Sequence, residues 1–190
     1  EILGGIFASY YGGRSEIRIR RQNRQVILCD FLSMYPTVCT LMGLWRFVTA
    51  SKMTWRDATQ ETRDLLAGVT LTDLQSPQFW PKLATLVQVL PDADIFPVRA
   101  SYDGDPQATI GLNYLSSQTP LWFTLADCIA SKLLTGKAPH IVEAVAFEAG
   151  AMQTGLSTID VNGNPNYNVD PVKQDFFKRV IELRKATQAR

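Results

Sequence analysis

Every apolar run in this sequence is short. QVILC, LVQVLP, DIFPVRASY, TIGLNYLSS and HIVEAVAFEA are each of strand length, and none approaches the roughly 18 to 20 apolar residues that cross a bilayer. Between them lie TLADCIASKLLTG and FFKRVIELRK, in which apolar residues recur at helical spacing. Strands joined by Gly, Pro and Asn turns, with helices set among them, imply an α+β fold: an antiparallel sheet with helices packed on one face. With 46% hydrophobic and 10% aromatic residues, the 190-residue chain can fill a core, which excludes a disordered tail. No charged-then-apolar leader opens the sequence, and the expected setting is the cytoplasm, with no membrane partner.

Local signals place most elements. SEIRIRRQNRQVILC alternates, turns through RQNR and becomes apolar, which predicts a β-hairpin whose second strand is buried and ends at Asp30. A short helix is expected over 34–44, with Pro36 in its first turn. Residues 54–67 read as an amphipathic helix opened by Thr54 and Asp57 and closed at Gly68, and Ser76-Pro77 as the start of another. DIFPVRASY and TIGLNYLSS pair through a DGDP turn into a second hairpin. TLADCIASKLLTG carries Thr124 at the N-cap, Asp127 three residues on and Gly136 just past its end. DVNGNPNYNVD is a polar loop, after which Asp170 and Pro171 open a long helix with Val172, Phe176, Val180 and Leu183 on one stripe.

Cys29, Cys39 and Cys128 sit among apolar neighbours and read as small buried hydrophobes. With them stands a single histidine, His140, too few soft ligands for zinc, so a metal here would be a hard one on carboxylates. His140 itself reads as a surface or satisfied core histidine. Asp92 with Asp94, and Asp103 with Asp105, read as turn residues before metal pairs.

The net charge of +1 conceals a division. Residues 1–24 hold five basic against two acidic groups, net +3; residues 171–190 hold six against two, net +4; the middle holds eight against fourteen, net −6. Basic ends suit a polyanion and an acidic centre suits solvent or a protein.

One stretch carries a sharper signal. In CDFLSMYPTV, Asp30 follows an apolar run and precedes Ser33, Tyr35 and Pro36. An aspartate where a strand turns into a helix presents its carboxylate and the next carbonyl beside the turn's N–H groups, a geometry suited to a divalent cation and a triphosphate. The pattern D-x-x-S-x-Y-P arises by chance on the order of once in a thousand chains of this length. Taken alone, Asp30 reads first as a strand-end carboxylate capping the following helix, and Tyr35 as a core aromatic.

This stretch resembles palm motif A of the family B DNA polymerases, D-x-x-S-L-Y-P, and stands here as Asp30-Phe31-Leu32-Ser33-Met34-Tyr35-Pro36. Tyr10-Tyr11-Gly12-Gly13 resembles the family's upstream Y-x-G-G element in order and spacing. The resemblance implies that Asp30 is catalytic and, with the Phe31 carbonyl, binds Mg2+, two ions serving the complete enzyme. It implies that Leu32, Ser33, Met34 and Tyr35 cradle the deoxynucleoside triphosphate, Tyr35 excluding a 2′-hydroxyl. Tyr10, Gly12, Gly13 and Arg14 would contact the template-primer DNA. Arg184 and Lys185 would be the basic residues of the fingers helix that grip phosphate, or else part of a solvated basic face, since Gln188 stands where the family often has a further Lys.

Motif B, K-x-x-x-N-S-x-Y-G, and motif C, Y-x-D-T-D-S, do not occur in these residues. Two-metal transfer needs a second carboxylate, so the chain by itself is expected to be inactive. The opening Glu1 and the helical pattern running to Arg190 suggest a piece of a longer chain. The resemblance divides it into an N-terminal palm part (1–45), a palm insertion (46–120), the remaining palm (121–169) and the start of the fingers (170–190). Protein-primed members carry an insertion that meets a priming protein, and the acidic middle suits such a partner. The expected function is therefore part of a DNA-directed DNA polymerase, a nucleotidyltransferase of a plasmid, phage or mobile element acting in DNA replication. The alternative is a polymerase-derived nucleic-acid-binding or protein-docking module without catalysis.

Overall fold

A computed structural model describes residues 2–10, 19, 21–31, 33–101 and 109–188. The fold is mixed α+β, with a four-stranded antiparallel sheet in the order β1 (Met53–Asp57), β6 (His140–Ala149), β2 (Thr85–Leu90), β5 (Leu121–Thr124), and two two-stranded sheets. The chain divides into two compact units: residues 1–28, 57–73 and 83–146 form the first, and residues 29–56, 74–82 and 147–190 the second.

In the first unit, α1 (Ile2–Ser9) lies on a strand edge where Gly5 permits close approach. A Cβ there would sit 3.0 Å from the Trp122 ring. The core strand is β2 (Thr85–Leu90), flanked by β5 (Leu121–Thr124) and β6 (His140–Ala149), with Val87 facing Phe123 on one side and Ala144 on the other. Strands on both edges satisfy its backbone, and Val87 and Val89 are fully buried. The β3–β4 hairpin (Asp94–Ala100 and Thr109–Leu115) forms as the sequence predicts, from Asp94↔Leu115 to Ala100↔Thr109. Its DGDP turn lies outside the described residues.

Helix α6 (Leu125–Thr135) begins and ends where its caps predict. Thr124 and Asp127 form a reciprocal capping box, and Gly136 closes the helix at φ 76°. The buried Ser131 hydroxyl accepts the Ile95 amide at 3.1 Å, tying the helix to β3. Asp94 is buried, and one of its oxygens accepts from the Asp92 amide.

Two elements differ from the sequence reading. Residues 54–57 belong to a strand, β1 (Met53–Asp57), and the helix α4 (Thr59–Gly68) begins only after it. The periodicity of Trp55 with Thr62 and Leu66 is overridden by pairing: Ala58 N–H donates to Ala144 O at 2.8 Å, and Ala144 N–H returns to Thr59 Oγ1 at 3.0 Å. Asp57 serves as a local start signal, accepting from the Thr59 amide and hydroxyl. Ser76-Pro77 does not start a helix; α5 (Leu71–Leu74) precedes it and a 3-10 turn (Trp80–Leu83) follows.

The second unit is built on α2 (Met34–Leu41), α3 (Trp45–Val48) and α7 (Phe176–Gln188), with α2 packed on α7. A short ribbon of β7 (Ile159–Asp160) and β8 (Asn168–Val169) lies within the polar loop. The Asp170 carboxylate accepts from the Val172 and Lys173 amides in a separate turn, so α7 starts at Phe176, later than Asp170-Pro171 implied. Among the described residues, no helix is long and apolar enough to cross a membrane.

The cysteines do not share one environment. Cys128 is buried, Cys39 is half-buried and Cys29 is exposed, which corrects the expectation of three buried thiols. Burial pushes the Cys128 thiol well above its ordinary value, with Asp127 and Asp94 adding to the shift. A neutral buried thiol is stable below the ordinary cysteine value and loses that contribution only as alkaline pH ionises the unfolded chain. With a disulfide reagent at neutral pH, Cys29 is expected to react at once, Cys39 slowly, and Cys128 only on unfolding. Fast labelling of Cys128 in the folded chain would contradict this packing.

Candidate functional site

The Asp30 segment is not a sheet strand. Residues 21–31 contain no strand, and Val26, Ile27 and Leu28 are 82%, 90% and 96% exposed. The buried strand and the sheet-rim display of Asp30 read from the sequence are therefore corrected. An extended apolar run is buried only when other groups take up its backbone N–H and C=O. Of the expected partner strand, Ile17, Arg18 and Arg20 lie outside the described residues, and the run has no described strand beside it.

The helix entry downstream of Asp30 does form as expected. The chain passes Ser33 in a left-handed conformation (φ 54°, ψ 44°) and enters α2 at Met34, with Pro36 in the first turn where its missing N–H costs nothing. Ser33 O accepts the Thr37 amide at 2.9 Å. No side chain caps α2, so the Met34 and Tyr35 amides open the helix at the positive end of its dipole. Asp30 and Phe31 are exposed just upstream, and Tyr35 is exposed on the first turn.

Helix α7 brings the second part of the predicted site to this turn. Arg184 Nη1 donates to Ser33 Oγ at 3.2 Å, across 151 positions of sequence. Lys185 is exposed on the same helix. An aromatic cluster holds the start of α7: Trp45 stacks on Phe176 with centroids 5.7 Å apart and meets Phe177 edge-on at 6.0 Å. Trp45 Nε1 donates to Pro171 O at 3.1 Å. Burial, with the Asp175 charge adding to it, raises the Cys39 thiol on α2 above its ordinary value. The sequence reading missed Trp45; an isolated aromatic after a Gly-Leu step carries no sign that its partners lie 131 residues on.

Asp30, Phe31, Ser33, Met34, Tyr35, Arg184 and Lys185 all belong to the second unit. Tyr10 falls in the first, exposed, with its carbonyl accepting from Arg99. Leu32, Gly12, Gly13 and Arg14 lie outside the described residues. Of the acidic pairs, Asp92 is bound to Lys137 at 3.2 Å while Asp94 is buried, so their carboxylates serve separate local roles; Asp103 and Asp105 are outside the described residues. Elsewhere in the acidic middle, the Asp73 carboxylate is held below the ordinary range by the Thr70 hydroxyl and amide.

Among the described residues, no group of three or more His, Cys, Asp or Glu converges as a metal site. The donors at the turn are one carboxylate and one carbonyl, a partial set for a hard cation. By themselves they do not complete a metal site. No protein-family model, curated protein or solved structure matches the chain.

Proposed function

We propose that this chain is part of a template-directed DNA polymerase of the family B kind, contributing the nucleotide-binding turn of the palm and the first basic helix of the fingers. The observation that carries this reading is the Ser33–Arg184 hydrogen bond, which joins the D-x-x-S-x-Y-P turn to the one helix expected to bear a phosphate-gripping cation. In the parent reaction the primer 3′-oxygen bonds to the α-phosphorus of a deoxynucleoside triphosphate and pyrophosphate leaves. The uncapped amides of Met34 and Tyr35 and the Arg184 guanidinium would receive phosphate oxygens, and the exposed Tyr35 ring would lie under the sugar. Asp30 and the Phe31 carbonyl would donate to Mg2+, which neutralises phosphate charge when bound; a second carboxylate must come from other residues. Template-primer DNA would meet the Tyr10 region, and a priming or accessory protein the acidic middle.

A second reading, a polymerase-derived module without catalysis that docks nucleic acid or protein, is favoured by the exposed Val26–Leu28 run. The two part on Asp30. If Asp30 is a metal donor, Asp30→Asn should weaken Mg2+-dependent dATP binding about tenfold, a change of about 1.4 kcal/mol. As an exposed residue, its replacement should leave stability within about 0.5 kcal/mol. Titration followed by amide NMR should move Ser33, Met34, Tyr35 and the last turns of α7. Unchanged affinity in Asp30→Asn would remove the catalytic role and leave the docking module.

A further inference from the structure

Ser33 does not use its hydroxyl in the way its position invites. An N-cap serine ordinarily accepts the amide two or three residues into the helix. Here that bond is absent, and the oxygen accepts from Arg184 instead. The residue is 8% exposed and left-handed, a conformation that non-glycine residues hold only where their surroundings fix it. Arg184 meanwhile lies two helical turns beyond Phe176, so α7 is fixed at two places: to α3 by the Trp45 cluster and to the α2 entrance by this polar contact. A guanidinium carries five N–H donors, and one bond to Ser33 leaves the others available. The side chain of Lys185, its neighbour, makes no hydrogen bond or ion pair among the described residues.

We infer that Ser33 is a positioning residue: it holds the Arg184 guanidinium at the entrance of α2, so that Arg184 and not Lys185 meets the phosphates of the incoming nucleotide. This rests on the polymerase reading and deepens it, because it divides the turn into groups that touch phosphate and one that aims a cation. Fixing a long side chain in advance removes an ordering cost from binding.

Calorimetric titration of the chain with magnesium tripolyphosphate tests it. Ser33→Gly suits the left-handed backbone and removes only the acceptor, while Ser33→Asn tolerates that backbone and retains an acceptor oxygen. Ser33→Gly and Arg184→Ala should each bind about tenfold more weakly, and the double variant no more weakly than Arg184→Ala alone. Ser33→Asn should stay within about twofold of the parent chain, and Lys185→Ala should lose less affinity than Arg184→Ala. Melting temperature should not fall in Ser33→Gly, which separates positioning from a structural role. Parent-like binding by Ser33→Gly, failure of Ser33→Asn to retain binding, or additive losses in the double variant would overturn the inference. If Asp30→Asn weakens binding while Ser33→Gly does not, the inference alone falls; if the parent chain does not bind tripolyphosphate, the polymerase reading falls and takes the inference with it.

Discussion

Phe96→Ala is expected to destabilise the first unit by about 3–5 kcal/mol, a large part of the stability of a domain this size. The ring is fully buried on β3 and stacks on Phe123 of β5, with centroids 4.1 Å apart and planes 16° from parallel. Phe123 in turn pairs with Val87 on the buried strand β2. Phe96 therefore fastens the β3–β4 hairpin to the sheet's interior. Its loss removes both the transfer free energy and the ring's packing on Phe123, in a unit where α6 lies against β3 and limits inward collapse. Urea denaturation should show a lower midpoint with an unchanged slope, and Phe96→Leu should cost less than half as much. The Cys128 thiol should also become reactive in the alanine variant as the unit opens. A cost under about 1 kcal/mol would mean that this ring is not a core residue.

The second large effect is expected at Trp45. Trp45→Ala removes the stack on Phe176, the edge contact with Phe177 and the donor to Pro171 O together. Because the indole is half-buried, the cost belongs near the lower end for a tryptophan, about 3 kcal/mol. Hydrogen exchange should locate it: amides of α7 lose protection first, since this cluster holds that helix's opening turn on the α3 side. Trp45→Phe keeps a ring but not the indole N–H, and should cost about 1 kcal/mol, the worth of a typical hydrogen bond. Protection of α7 surviving in Trp45→Ala would show that other contacts fix the helix. Loss of that protection should also loosen Arg184 at Ser33, so the same variant is expected to weaken tripolyphosphate binding.

Much of the fold was legible because much of it is local. Thr124, Asp127 and Gly136 marked α6 at both ends, and each acts within four residues of itself. The alternation of DIFPVRASY and TIGLNYLSS marked a hairpin whose partners are neighbours in sequence. Residues 54–57 misled, because Trp55 fits a helical stripe as well as a strand, and only pairing with β6, almost ninety residues away, decides between them. At the candidate site, the D-x-x-S-x-Y-P order and the entry into α2 could be read directly, as could the basic character of α7. The contact of Arg184 with Ser33 could not, since no short-range signal connects those positions.

Sequence alone determined the α+β class, the helix caps, the strand-length apolar runs and the motif that places Asp30 before a helix. Tertiary structure decided which apolar runs are covered: LVQVL is enclosed by two strands, whereas VIL at 26–28 stands in solvent. It also decided that the Ser33 hydroxyl serves a distant guanidinium in place of its own helix. The physical reason is the range of the interactions. A cap is satisfied by the next few residues, while a strand's amides and a long cation's donors are satisfied only by whatever the rest of the chain brings alongside.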